Sequence, residues 1–183
     1  CGRMAVESRE ASLLGRREVL TGKAKFGVFG DGKEVVQVAV ARFFKPGDFR
    51  SGYYRGQTLA FATGMGTLQQ FFAQMYADAN IDHEPLSGGR NMVSHYTTPN
   101  VDENGEWLPL ATMKNTASDM APTAGQMPRA LGLAFASSAF RNNPALQLEQ
   151  FKKLTDNGNE VCFATIGDAA TSEGHFWQIM NAA

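Results

Sequence analysis

The segment CFATIGDAATSEGHFWQIMNAA, Cys162 to Ala183, places one carboxylate, Asp168, at the junction of two patterns. Cys162 to Ile166 is a short apolar run of strand composition, and from Phe176 the apolar positions Ile179, Met180 and Ala183 recur at helical spacing. The turn between them, GDAATSEG, holds small residues and hydroxyls and nothing able to fill a core. In open parallel sheets ligands bind at the carboxyl ends of strands, and a helix N-terminus offers unpaired N–H groups to an anion. An aspartate there repels a bare phosphate. A divalent cation removes the conflict: Asp168 supplies a hard oxygen ligand and the ion holds phosphate oxygens. The competing reading is that Asp168, Thr171 or Ser172 simply caps the helix, and Glu173 reads as a first-turn acid facing the helix dipole.

A second glycine-bearing stretch, GVFGDGKE from Gly27 to Glu34, fits the phosphate-loop pattern up to Lys33 and fails at its last place, where Glu34 replaces Ser or Thr. A carboxylate there would face the phosphates it should help to hold, and GKAKF upstream is a poor buried strand, so a nucleoside-triphosphate loop is rejected. GxGxxG occurs nowhere, which removes the nearest reason to propose a nicotinamide or flavin Rossmann site.

The elements that must position Asp168 read as follows. VESREASLLGRREVL predicts an amphipathic helix through Leu13, Leu14, Val19 and Leu20, weakened by Gly15. Lys33 to Phe44 is apolar nearly all round; its β-branched run would suit a strand, but its length and the Lys45-Pro46-Gly47 stop favour a buried helix. Thr67 to Asp78 is the clearest helix, with Thr67 and Gln70 as a capping box and Leu68, Phe71, Phe72, Met75 and Tyr76 on one face. Asn80 to Ala121 reads as a long loop, of a length that is usually functional or mobile, with a hairpin-like Asn104-Gly105. Thr123 to Phe140 predicts a helix rich in small residues with Pro128 near its first turn, Leu146 to Leu154 a further helix, and Asp156-Asn157-Gly158 a turn before the closing strand. The order indicates an α/β architecture with a mostly parallel sheet, only part of which is present, because Ala183 falls inside a helical pattern with no stop signal.

Bulk properties narrow the partners. A length of 183 residues supports a genuine core, and 17 basic against 18 acidic residues give a net charge of -1 that would gather neither nucleic acid nor an anionic membrane. Two cysteines at opposite ends make neither a zinc site nor a disulfide framework, and a reducing, cytoplasmic compartment is expected. Neither a long apolar run nor a leader peptide is read in the sequence.

Four segments then carry a resemblance. GDAATSEGHFWQIMNAA resembles the first half of the thiamine diphosphate motif, Phe49-Arg-Ser-Gly-Tyr-Tyr-Arg55 a Tyr-Arg segment, GGRNMVSHY a glycine-rich loop with a histidine, and PTAGQMPRALGLAFA the segment beneath the cofactor's pyrimidine. Together, in order, they resemble the alpha portion of the thiamine-dependent, decarboxylating first component of 2-oxo acid dehydrogenase complexes, and also bacterial versions in which alpha and beta portions are fused. The resemblance implies that residues 1–183 are the N-terminal part of a thiamine diphosphate-binding fold, truncated before its second motif half. It implies that Asp168 ligates Mg²⁺ and that Gly167, Ala169 and Ala170 give close backbone contacts to the diphosphate. Tyr54 and Arg55 would hold the diphosphate, a role the planar guanidinium suits. Ala121 and Thr123 would contact the aminopyrimidine through their main chain, and His95 matches a family histidine near the active site. The motif's second glycine is Ala169, which disfavours positive φ there.

The implied function is decarboxylation of a 2-oxo acid on thiamine diphosphate, with acyl transfer to a lipoyl carrier. The implied partners are a beta portion, a lipoyl-bearing acyltransferase component and an oligomeric assembly. In the family it resembles, the pyrimidine-activating glutamate belongs to the beta portion, so this polypeptide alone is expected to be inactive. Members acting on pyruvate carry a histidine where this sequence has Val28; with Phe26 and Phe29 retained, a bulkier, branched-chain substrate is expected. The alternatives are a transketolase-type enzyme and a noncatalytic assembly domain.

Overall fold

The structure, a computed structural model, describes residues 2–183. The chain divides into two compact units, each discontinuous: residues 1–44 with 53–96, and residues 45–52 with 97–183.

The first unit is helical. Helix α1 (Gly2–Leu20) forms where expected, but it buries Ser8, Ala11, Ser12, Gly15 and Glu18 and leaves Leu13, Leu14 and Leu20 exposed. The small stripe wins because it lets a buried glutamine approach: Gln57 donates from Nε2 to Ser12 Oγ at 3.0 Å and to Ser8 O at 3.2 Å, and Ser8 Oγ meets Thr58 Oγ1 at 2.6 Å. Gly15 faces the Phe29 ring, whose Cε1 would lie 2.5 Å from any added Cβ.

Helix α2 (Glu34–Ala41) is a helix, as expected, but not a buried apolar one. Val35 and Val36 are 80% and 62% exposed, whereas Glu34 and Gln37 are 6% and 2% exposed. Each buried polar group has a specific partner. Glu34 takes the Arg9 guanidinium at 2.6 and 2.9 Å and the Gly32 N–H at 2.9 Å, so the residue that breaks the phosphate-loop pattern already occupies a loop amide. The Arg9 hydrogen bonds hold the Glu34 carboxyl below the usual carboxylate range against the opposing effect of burial. Gln37 serves helix α3 (Gln57–Thr63), accepting the Leu59 N–H at 2.9 Å. This replaces the side-chain cap that Gly56 lacks.

Helix α4 (Leu68–Met75) carries the predicted capping box, with Gln70 N–H on Thr67 Oγ1 at 3.1 Å and Thr67 N–H on Gln70 Oε1 at 3.0 Å. Its Phe71 and Met75 join Ala11, Ala60, Phe61 and Val93 in the core of this unit. Phe71 packs edge-on against Phe61 and Phe72 at centroid distances of 6.1 and 5.1 Å.

The second unit holds a three-stranded sheet in the order β2-β1-β3, built from β1 (Phe49–Tyr53), β2 (Asn115–Met120) and β3 (Cys162–Ala164), with β1 passing into the first unit at Tyr53. β1 and β3 run parallel, with Phe49 opposite Cys162 and Ser51 opposite Ala164. The architecture is therefore α/β, with helices α5 (Gln126–Asn142) and α6 (Gly174–Ala182). The expected helix at 146–154 is absent as such. Pro144–Leu146 and Glu149–Phe151 form two 3₁₀ turns separated by an extended Leu148, the first capped by Asn143 Oδ1 accepting the Ala145 N–H at 3.0 Å. The hairpin-like Asn104-Gly105 turn closes an antiparallel bridge between Val101 and Trp107.

Strand β2 lies inside the stretch read as loop, because NTASDM carries no alternation that would announce it. It is held by side chains. Arg50 of β1 reaches Asp119 at 2.9 Å and Thr116 Oγ1 at 3.0 Å, all buried. Asn115 Nδ2 meets Leu110 O at 2.9 Å and Met113 O at 3.0 Å.

Candidate functional site

The candidate residues fall on both units: Phe26, Val28, Tyr54, Arg55 and His95 on the first, and Ala121, Thr123 and Gly167 to Ala170 on the second.

On the first unit, the chain leaving β1 turns at Tyr53–Gly56, where the Gly56 N–H meets Tyr53 O at 3.0 Å. The Arg55 carbonyl is fixed by Gln37 Nε2 at 2.9 Å, and Gly30 packs so closely that an added Cβ would lie 2.7 Å from that oxygen. The backbone is thus clamped while the side chain is exposed. Arg55 rests its guanidinium 5.6 Å from the centroid of the Tyr54 ring and forms no ion pair among the described residues. An aromatic-backed, uncommitted guanidinium is a suitable anion receptor.

His95 is buried. Its Nδ1 lies 3.1 Å from Val93 O, and because a carbonyl only accepts, Nδ1 carries the proton. A neutral ring then leaves Nε2 as an acceptor, and that buried atom has no hydrogen-bond partner among the described residues. The preceding Ser94 is held at φ 62°, a left-handed conformation uncommon outside glycine. Phe26, half-exposed, lines an open pocket with Lys25, Met75, Asn91 and Met92; Val28, two residues on, is half-buried and off that wall.

On the second unit, β3 ends before Gly167-Asp168, the chain makes a 3₁₀ turn over Ala169–Ser172, and α6 follows. Asp168 is exposed and makes no capping hydrogen bond. Thr171 donates its hydroxyl to the Asp168 carbonyl at 2.6 Å instead of accepting an N–H, and Glu173 at the start of α6 makes no side-chain cap either. The helix-cap reading of Asp168 therefore fails on geometry. Ala169 is absent from the positive-φ residues, in keeping with the preference that its Cβ imposes. Among the described residues no three His, Cys, Asp or Glu side chains cluster as a metal site, so Asp168 can furnish one ligand at most.

The PTAG segment sits beside this turn. His175 of α6 donates from Nε2 to Thr123 O at 2.9 Å, and Gln126 Nε2 meets Thr165 O at 2.8 Å. Ala124 between them is buried at φ 57°, and Gln126 Oε1 is buried without a hydrogen-bond partner among the described residues. A strained non-glycine position beside an orphaned polar atom makes this segment a candidate for binding. Cys162, by contrast, is chemically quiet: burial and the charge of Asp48 push its thiol up to about 11, offset in part by the Ser51 N–H.

The sequence does not announce Gln37, Gln74, Glu84, Gln126 or His175. Their only signal is polarity on an otherwise apolar helix face or beside a motif.

The sequence profile of the dehydrogenase E1 component family matches residues 3–183. The chain belongs to that family. The 2-oxoisovalerate dehydrogenase subunit alpha, mitochondrial, of Caenorhabditis elegans is 27% identical over 162 residues, covering 88% of this chain and 30% of the relative. The chain thus spans under a third of that relative's length. The E1 family depends on thiamine diphosphate. Taken unit by unit, the chemistry of the residues fits such a cofactor: the first carries a guanidinium, Arg55, of the kind that holds phosphate oxygens, and the second a carboxylate, Asp168, at a strand end and a positive-φ Ala124 beside Thr123.

Proposed function

We propose that this chain is the cofactor-holding alpha portion of a 2-oxo acid dehydrogenase that decarboxylates a branched-chain 2-oxo acid and passes the acyl group to a lipoyl arm. The supporting observation is Asp168, an exposed carboxylate at a strand end that caps nothing, in a chain of this family. Thiamine diphosphate, when bound, supplies the electron sink for the charge left as carbon dioxide departs. Asp168 and Mg²⁺ would anchor the diphosphate, with Gly167, Ala169 and Ala170 in close backbone approach and Arg55, backed by Tyr54, as a second anion contact. Ala121 and Thr123 would meet the aminopyrimidine through main-chain groups; the Thr123 carbonyl is already committed to His175, which leaves its N–H for that role. His95 Nε2 would accept a proton or hydrogen bond from the reacting substrate. A beta portion, an acyltransferase component and a cytoplasmic setting complete the proposal.

The deciding assay measures carbon dioxide release from carboxyl-labelled 2-oxoisovalerate by the enzyme assembled with its beta portion. Release that requires thiamine diphosphate and Mg²⁺ supports the reading; ketol transfer from a sugar phosphate instead would mean a transketolase-type enzyme, and no turnover a noncatalytic assembly domain. Substrate choice is tested at Val28. Val28→His should shift the ratio of kcat/KM values toward pyruvate by roughly tenfold, since one or two methylenes in an apolar pocket discriminate about 10–200-fold. An unchanged ranking would remove Val28 from the specificity argument.

A further inference from the structure

Glu84 is fully buried and pairs with no cation among the described residues. Every polar neighbour is a donor. Oε1 accepts the Leu86 N–H at 3.1 Å and Gln74 Nε2 at 3.4 Å, while Oε2 accepts the Ser87 N–H at 2.8 Å, Ser87 Oγ at 2.5 Å and the Gly89 N–H at 3.0 Å. Only an acceptor-only group fits, because an amide in either orientation would turn its NH₂ onto two or more donors. Burial alone would raise the Glu84 carboxyl, but the donors from Ser87, Gly89 and Gln74 outweigh it and hold the group ionised below the usual range. A buried anion without a counter-ion is costly to retain, and here it orders a loop. Gly89 pins that loop at φ 71°, where an added Cβ would lie 2.7 Å from Ala77 C and Asp78 O. Ser87 Oγ passes the order onward by accepting the Arg90 and Asn91 N–H groups at 3.2 and 2.9 Å.

The loop leads to His95, and Gln74 closes the connection. Its Nε2 donates to His95 O at 2.8 Å and its Oε1 accepts the His95 N–H at 3.3 Å. The carboxylate of Glu84 decides which end of that amide carries the protons: turned over, Gln74 Oε1 would face both an anion and a carbonyl. With Gln74 oriented and Ser94 held in its left-handed conformation, Val93 O is in place for Nδ1 and Nε2 is left as an acceptor. We infer that Glu84, acting through Gln74 and the Ser87–Asn91 turn, is the positioning residue that fixes the pose and tautomer of His95. The inference rests on the reading of His95 given above.

A double-mutant cycle in the cofactor-loaded, assembled enzyme tests it. Glu84→Gln and His95→Ala should each lower kcat by roughly 10- to 100-fold, the range for removing a partner that orients an active-site ligand. The double variant should be no slower than His95→Ala within about twofold, because groups acting as one unit are not additive. Losses that multiply would make Glu84 a general stabiliser and overturn the inference. Should Glu84→Gln fail to fold, as judged by circular dichroism, Gln74→Met cuts the same connection without stranding a charge and is carried through the same cycle. Nitrogen-15 NMR of histidine-labelled wild-type enzyme gives a readout free of turnover: His95 must show protonated Nδ1 and bare Nε2, and the opposite tautomer overturns the inference. If His95→Ala turns over at the wild-type rate while the tautomer is as stated and changes in Glu84→Gln, the catalytic reading of His95 falls and the positioning by Glu84 stands.

Discussion

Asp168→Ala in the assembled enzyme should weaken Mg²⁺-dependent binding of thiamine diphosphate by at least about 100-fold, since losing even an outer partner of a metal site costs about 10–100-fold. Isothermal titration calorimetry with and without Mg²⁺ measures it. The sign in the absence of the ion is the sharper part. A carboxylate beside the 3₁₀ turn at Ala169–Ser172 repels a bare diphosphate, so without Mg²⁺ the alanine variant should bind as well as wild type or slightly better. Asp168→Asn keeps an oxygen at nearly the same place and should fall between the two, because a neutral carbonyl ligand is weaker than a carboxylate toward a hard cation. Equal affinity of wild type and Asp168→Ala in Mg²⁺ would remove the metal role and the functional proposal with it.

The largest loss of stability is expected from Asp119→Ala. The Arg50 and Asp119 side chains are 2% and 0% exposed and meet at 2.9 Å. Removing the carboxylate leaves a guanidinium buried without its anion, a change that costs about 3–5 kcal/mol. For a protein of this size each kcal/mol lowers Tm by about 2–4 °C, giving a drop of roughly 6–20 °C in a thermal melt followed by circular dichroism. Replacing both partners with apolar residues of similar volume, Arg50→Met with Asp119→Leu, should recover most of it. Gly52→Ala should mimic the single loss from another direction, because its Cβ would collide with the Arg50 guanidinium and the Asp119 carboxylate. A melt within 2 °C of wild type for Asp119→Ala would show that the pair contributes little.

What the sequence disclosed was local. The capping box of α4 involves residues three apart, and the strand-turn-helix around Asp168 is a change of period within twenty residues; both are found where the pattern puts them. Strands β1 and β2 are not legible, because FRSGY and NTASDM show no apolar alternation and are linked by Arg50 and Asp119, which are 69 positions apart. Helix α2 shows a third case. Its helicity follows from its composition, but its orientation follows from Gln37, whose amide is needed at Leu59 and Arg55, and no periodicity of valines announces that. The site divides in the same way. Arg55, His95 and Asp168 stand out by residue type and motif, whereas Gln74 and Glu84 are defined by what surrounds them in space.

The discontinuity of the two units also sets an order of events for the chain as it forms. Residues 1–96, apart from the excursion at 45–52, contain every member of the helical core and can begin to consolidate once they are available. β1 waits longer: β2 begins at Asn115, and its parallel neighbour β3 only at Cys162, 113 positions beyond Phe49. Closing so wide a span is slow, so docking of β3 is expected to be the slow step of refolding, and until it occurs the edge of β1 that faces β3 stays open to wrong pairing.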